Sequence, residues 1–370
     1  MANKLTKNLY RLLTPLFLQP VTTFDWEKRI LIIRDDGIGD FLLFTGALQE
    51  YIQAFQNSEV YLVVSKEVYP IGCLYMPPDK IIAVDKNRYY YDFTYRKQFL
   101  SQLRSIGFKT VIGSIHSSSI CTDLVFHVSG KNRYGYEGER FLGGNKKLFV
   151  YNHQIRSFDK DKEEENEKIT HVICHEWQML QGVTGLNYNL ADIEPYSPQI
   201  YQDSLIETLP QDYIVFLPET GNSRRTYPAD RLLGILDEIG EQYDTHCVIV
   251  GIDTKSDIAA FRQPRFSNLI GQTSLLQSLS IISRAKLVVG NETGLTHFAW
   301  IMGVQTIMLY GGGHYGRFDP LKPTGQIICK KLDCYKCNWK CNDVDPDKHI
   351  FRCVDQIPLD EIKAFIIKSV

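Results

Sequence analysis

The sequence predicts an α/β protein built from two Rossmann-like domains with parallel sheets. Three observations carry this. Short, continuously apolar runs alternate with longer helix-like segments, as expected of strands buried on both faces. The alternation occurs twice over similar lengths, with "EPYSPQIY" and "LPQD" reading as the connection between the two series. In each series an apolar run ends in a glycine-containing turn that opens a helix, "DDGIGD" and then "GNETGL". A chain of 370 residues is also longer than one core usually organises.

In the first series the expected strands are "RILIIR" from Arg29, "EVYLVVS" from Glu59, "KIIAVD" from Lys80 and "KTVIGSI" from Lys109, with helices over 41–55 and 95–106. The charged run at 158–168 reads as a solvated segment. "ITHVICHEWQMLQGV" reads as a helix. Its His171 and His175 are four apart, but H-E-x-x-H is absent, so the pair is read as structural. In the second series the expected strands are "YIVFLP", "HCVIVG", "NLIG" from Asn268, "KLVVG" and "QTIMLYG", with helices over 228–241, 274–284 and 293–302. The expected division is an amphipathic segment at 1–26, domains at 27–205 and 206–357, and a terminal helix at 358–370.

With 44% hydrophobic and 23% charged residues the chain reads as soluble and globular. Its net charge of -2 supplies no electrostatic reason to expect nucleic acid. No run approaches the roughly 20 apolar residues that span a bilayer. Near the N-terminus, Leu5, Leu9, Leu12, Leu13 and Leu16 recur at helical spacing among Lys4, Lys7 and Arg11. Two readings fit: a helix on an anionic membrane surface, or one packed on the protein's own flank. Arg11 and Pro15 interrupt the apolar part, unlike a signal peptide. The cytosol is the expected compartment, where disulfides are disfavoured.

Three turns could carry chemistry. The first is "DDGIGD", with Gly37, Gly39 and Asp40. A dinucleotide fingerprint needs glycine where Leu42 stands, and the second strand ends in Ser65 and Lys66 rather than a ribose-binding acid. This counts against an NAD-dependent oxidoreductase. Asp40 is either a general base at the ligand edge of the sheet or a helix cap. The second turn is "VVGNETGLTHFA". Thr293, Gly294 and Leu295 open a helix whose amides suit a diphosphate. Glu292 could meet a sugar hydroxyl, and His297 could reach a phosphate or serve packing. The third is "LPETGNSRRTYPADR", where Thr220, Arg224 and Arg225 follow a strand. Arginines bind phosphate oxygens bidentately. A solvated basic loop is the alternative, weakened by the second motif in the same domain.

Together "ILIIRDDGIGDFLLFTGAL" and "LVVGNETGLTHFAWIMGVQTIMLYG" resemble glycosyltransferase family 9, the ADP-heptose:lipopolysaccharide heptosyltransferases and their relatives. Order, spacing and strand-helix context fit from Arg29 to the end. The resemblance implies the GT-B architecture: two facing Rossmann-like domains, acceptor mainly on the first and nucleotide sugar mainly on the second. It also implies transfer with inversion and no metal required at the reacting centre. Asp40 matches the catalytic aspartate. Arg225, three residues before Pro228, holds the place of a donor-phosphate residue that is often lysine. Glu292-Thr293-Gly294 stands where Asp-Ser/Thr-Gly is common, and His297 matches a histidine near the phosphates. The implied function is transfer of heptose from ADP-heptose to a lipopolysaccharide core or related glycan, at the cytoplasmic face of a bacterial inner membrane, with peripheral membrane contact. Another sugar, a protein acceptor, or a nucleotide-sugar-binding protein without turnover remain alternatives. A mere binder has no need of a base such as Asp40.

The last feature is "CYKCNWKCNDVDPDKHIFRC". Cys334, Cys337, Cys341 and Cys353 supply four thiolates in a C-x2-C-x3-C-x11-C spacing, enough for a closed structural site holding zinc or iron. Some protein-heptosylating relatives carry a C-terminal four-cysteine iron-binding finger, which this window resembles with a shorter middle spacing. Reduced buried thiols are the alternative reading.

Overall fold

The computed structural model describes residues 10, 13–14, 18, 28–115, 118–128, 130–137, 150–155, 171–200, 203–253, 257–320 and 324–370. The chain divides into two compact units, Met1–Glu164 with Ile173–Glu194, and Glu165–Val172 with Pro195–Val370.

The first unit is built on β1 (Arg29–Arg34), β2 (Glu59–Ser65), β3 (Ile81–Val84), β4 (Thr110–Gly113), β5 (Asn132–Tyr136) and β6 (His153–Ile155). All neighbours pair in parallel, in the order β3-β2-β1-β4-β5-β6. Its main helices are α1 (Ile38–Ala54), α2 (Phe93–Ile106), α3 (Ser119–Val128) and α4 (Val172–Thr184). Asp92 caps α2 by accepting from the Tyr95 amide at 2.9 Å, and Gly107 ends it with φ 71°. Between cap and stop, α2 buries Phe99, Leu100 and Leu103 with Leu31, Ile33 and Val111 of the sheet.

The second unit is built on β7 (Tyr213–Leu217), β8 (His246–Ile249), β9 (Phe266–Asn268), β10 (Leu287–Asn291), β11 (Thr306–Leu309) and β12 (Gln326–Ile328), in the order β12-β11-β10-β7-β8-β9. Its main helices are α5 (Ala229–Tyr243), α6 (Leu275–Ser283), α7 (Gly294–Ile301) and α8 (Leu359–Ser369). The apolar stripe of α5, including Leu232, Leu236 and Ile239, joins Ile362 and Ile366 of α8 in one core with β7 and β10. Counted in chain order within its unit, each sheet runs 3-2-1-4-5-6, so the first and fourth strands are neighbours. That adjacency is the topological switch point of a Rossmann sheet, where a crevice opens at the strands' carboxyl ends.

The expected strands form, with one shift. "NLIG" was expected to begin a strand, but β9 ends at Asn268. The Asn268 amide turns back to the Ile258 and Phe261 carbonyls at 2.6 and 3.1 Å. β5, β6 and β12 have no counterpart in the expected series; their segments "NRYGY", "HQI" and "QII" are short and carry polar residues. His171 precedes α4 and bonds the Asp319 carbonyl at 2.6 Å. The charged run at 158–168 lies outside the described residues, as does most of the N-terminal segment. Within that segment Thr14 is buried and accepts from Arg96 Nε at 2.8 Å, as packing on the protein's own flank requires. Among the described residues no helix is long and apolar enough to cross a membrane.

Candidate active site

In the first unit the site grows from the end of β1. The strand delivers Arg34, Asp35 and Asp36, and α1 then starts at Ile38 with Gly37 in the N-cap position and no side-chain cap. Gly39 and Asp40 therefore lie in the first turn of α1, and Asp40 is not its cap. The half-buried Asp40 sits at the positive end of the helix dipole.

Arg34 organises this turn. Its buried guanidinium reaches Glu176 of α4 at 2.5 Å, the Ser114 carbonyl at 2.9 Å, Asp36 at 2.7 Å and the Asp40 carbonyl at 3.3 Å. Burial disfavours the charge on Arg34, but Asp36, Glu176 and Asp40 more than reverse this and keep it protonated. Burial pushes Asp36 well up and Glu176 up, against the pull of the same arginine. Asp35 is held by Ser118 Oγ at 2.8 and 3.0 Å. Asp36 Oδ1 and Glu176 Oε2 are buried and find no donor among the described residues. Several carboxylates thus share one cation behind Asp40.

In the second unit the loop after β7 is tied to the end of β10 by a residue that sequence reasoning passed over. Asn291, fully buried at the end of β10, accepts from the Tyr227 amide at 2.8 Å and donates to the Pro218 carbonyl at 2.8 Å. It fixes the loop after β7 against the end of β10, from which the Glu292 turn departs. The only sequence signal was a polar residue closing an apolar strand. Thr293 is the N-cap of α7, accepting from the Thr296 amide at 3.5 Å. The amides of Gly294 and Leu295 remain at the open end of the helix.

Glu292 is held from two sides. His314 Nδ1 stands 3.0 Å from one oxygen and His297 Nε2 3.9 Å from the other. Burial pushes the carboxyl up, but the two histidines outweigh it and bring Glu292 down to about 2. His297 is buried and turned toward Glu292. Thr220 Oγ1 is engaged within its own loop, with the Asn222 carbonyl at 2.6 Å and the Thr226 hydroxyl at 2.8 Å. Arg224 is exposed and lies over the Phe351 ring at 4.5 Å. Arg225 is half-buried and lies over the Trp339 ring at 4.6 Å, and burial lowers its pKa.

Residues 122–346, more than half of the chain, match the profile of glycosyltransferase family 9 (heptosyltransferase). The chain belongs to this family. Membership makes it a glycosyltransferase. Asp40 lies outside the matched residues, whereas the whole second-unit site lies within them, apart from Phe351. No curated protein matches the chain in sequence. Among solved structures, ADP-heptose LPS heptosyltransferase II of E. coli is similar over 92% of this chain and 98% of its own, with a TM-score of 0.68 and 16% identity. E. coli heptosyltransferase WaaC, solved with ADP-2-deoxy-2-fluoro heptose, is similar over 92% and 100%, with a TM-score of 0.62 and 18% identity. TibC of enterotoxigenic E. coli is a dodecameric iron-containing heptosyltransferase solved with ADP-D-β-D-heptose. It is similar over 94% and 78%, with a TM-score of 0.54 and 12% identity. At these identities the likeness establishes the fold, that of the GT-B heptosyltransferases.

This family 9 chain gathers three of the four cysteines expected as ligands. The sulfurs of Cys334, Cys337 and Cys341 all lie within 4.8 Å of one another, and Cys337 and Cys341 are 3.4 Å apart. Cys353 is not in that group. It sits buried in the short helix Arg352–Asp355, where a side chain at Gly312 would meet its Cβ at 3.5 Å. Burial pushes the Cys337 thiol up, but hydrogen bonds from Cys341 and from the amides of Trp339 and Lys340 bring it below its ordinary value. Burial raises Cys334 to about 12, with Cys341 adding to the shift. Three converging sulfurs with amides aimed at one of them fit a thiolate-bound soft ion.

Proposed function

We propose that this protein transfers heptose from ADP-heptose to a lipopolysaccharide core or related glycan, with inversion and with Asp40 as general base. The observation that carries the reading is the second-unit assembly at the ends of β7 and β10. There Asn291 locks Arg225's loop beside a helix start with free amides, the geometry of a diphosphate site. The ADP-sugars in the WaaC and TibC structures, proteins of the same fold, support an ADP donor.

In the proposed reaction the acceptor hydroxyl oxygen attacks the anomeric carbon as its proton passes to Asp40. The bond from that carbon to the diphosphate oxygen breaks, and ADP leaves with the electron pair. Arg225, the Gly294 and Leu295 amides and the α7 dipole stabilise the leaving charge. Glu292, kept ionised by His297 and His314, accepts a hydrogen bond from a donor hydroxyl. Cys334, Cys337 and Cys341, with Cys353 nearby, would hold a structural zinc or iron that supplies cross-linking and takes no part in the transfer. A protein acceptor is the second reading, favoured by the cysteine cluster.

Asp40→Asn should cut turnover by about 10² to 10⁴ while ADP binding survives, measured by product formation and calorimetry. A variant that transfers sugar at near wild-type rate would remove Asp40 from the mechanism. The anomeric configuration of the product, read by NMR, tests inversion.

A further inference from the structure

We propose that Trp339 is a positioning residue that couples the cysteine cluster to the donor site by holding Arg225. The proposal rests on reading Arg225 as a donor-phosphate ligand.

Trp339 lies between Cys337 and Cys341, so any ion that gathers those sulfurs also fixes its backbone. That backbone is strained: Lys336, Asn338 and Trp339 have φ of 63°, 49° and 58°, values that side-chain-bearing residues seldom adopt. The strain is held by bonds to the glycine run after β11. The Lys336 amide donates to the Gly312 carbonyl and the Asn338 amide to the Gly313 carbonyl, both at 2.8 Å.

The same run makes room for the indole. A Cβ at Gly311 would come within 2.2 Å of the Trp339 ring, and one at Gly313 within 2.7 Å. "YGGGHYG" is therefore bare of side chains where the indole lies. From this seat the ring contacts three parts of the unit. It packs on Phe351 at 4.6 Å, meets His314 edge-on at 5.3 Å, and supports the Arg225 guanidinium at 4.6 Å. His314 in turn holds Glu292. One aromatic ring thus links the thiolate knuckle with both the cation and the carboxylate of the proposed donor site.

Arg225 has little else to hold it. It makes no ion pair among the described residues, and its buried Nε has no hydrogen-bond partner there. An arginine seated on an indole keeps its terminal donors available for an anion while its position is restrained. Loss of the cluster would release the strained knuckle, withdraw the indole and free Arg225. By linkage, a diphosphate bound at Arg225 would equally favour the gathered cysteines.

The test is ADP affinity by calorimetry, with UDP and GDP alongside, on the full chain. Trp339→Ala should weaken ADP binding about 5- to 30-fold, and Trp339→Phe should recover most of it. In an Arg225→Gln background, Trp339→Ala should change affinity less than about twofold. Cys337→Ser with Cys341→Ser should weaken binding as much as Trp339→Ala, with no further loss when combined. Wild-type affinity in Trp339→Ala, or an undiminished effect in the Arg225→Gln background, overturns the coupling and leaves the donor reading intact. A wild-type protein that binds none of the three nucleotides overturns the donor reading and the coupling together.

Discussion

The two units share one strand order and invert its electrostatics. Each gathers its charged residues where the first and fourth strands of its sheet are neighbours, β1 with β4 and β7 with β10. In the first unit a single buried arginine, Arg34, is surrounded by Asp36, Glu176 and the Asp40 turn. In the second a single carboxylate, Glu292, is held by His297 and His314, with Arg225 and a helix start nearby. The fold sets where such residues collect; the residues at the strand ends set the sign. A carboxylate-rich end suits taking a proton, and a cation-rich end suits holding a diphosphate.

The sharpest way to break the contrast is to remove each central group. Arg34→Gln leaves Asp36 and Glu176 buried without a counter-charge, which should cost about 3–5 kcal/mol. Glu292→Gln should cost only about 1–2 kcal/mol, because the glutamine amide can keep a hydrogen bond to His314. Denaturant unfolding of both variants compares them, and equal costs would mean that the two centres are not electrostatic opposites.

Next comes the division of labour. Arg225→Gln should weaken ADP binding about 10- to 100-fold, whereas Asp40→Asn should leave it within about twofold. Calorimetry on the pair decides, and comparable losses in both would erase the distinction between the units.

The smallest effect is the sign of the pH response. Glu292 has a depressed folded pKa, so its contribution is present above the ordinary value of 4.5 and lost as pH falls toward about 2. Asp36 is raised above its ordinary 3.8, so its contribution is present below that value and lost as pH rises through the folded one. The stability gap between wild type and Glu292→Gln should therefore narrow in acid. Asp36→Asn should gain on wild type as pH rises. Unfolding curves between about pH 3 and 8 read both slopes, and slopes of the same sign would contradict the inversion.

Much of this was legible in the sequence because it is local. "RILIIR" and "KLVVG" read as strands from continuous apolar runs. Asp40 stood out as a carboxylate after a glycine turn, and the four cysteines as a metal site from their spacing, of which the structure gathers three. What was not legible depends on distant partners. Glu176 meets Arg34 from 142 residues away. Asn291 carried no signal of its own beyond being polar at a strand end, and its side chain ties both ends of the loop after β7 to the end of β10. The partners of the Thr220 hydroxyl, all within its own turn, were likewise not legible. His297 left two readings open, and its turn toward Glu292 fits packing.

By itself the sequence determined the central apolar strands, the helices between them, the two glycine turns and the thiolate spacing, since periodicity and turn chemistry act between near neighbours. Only the tertiary structure decided which charges share a centre and why Gly311 and Gly313 must be bare. It also decided that three cysteines converge while Cys353 stays apart. Ion pairs, hydrogen bonds and ring contacts act over a few ångströms, and which distant residues come that close is written in the packing of sheets and helices rather than in any pattern along the chain.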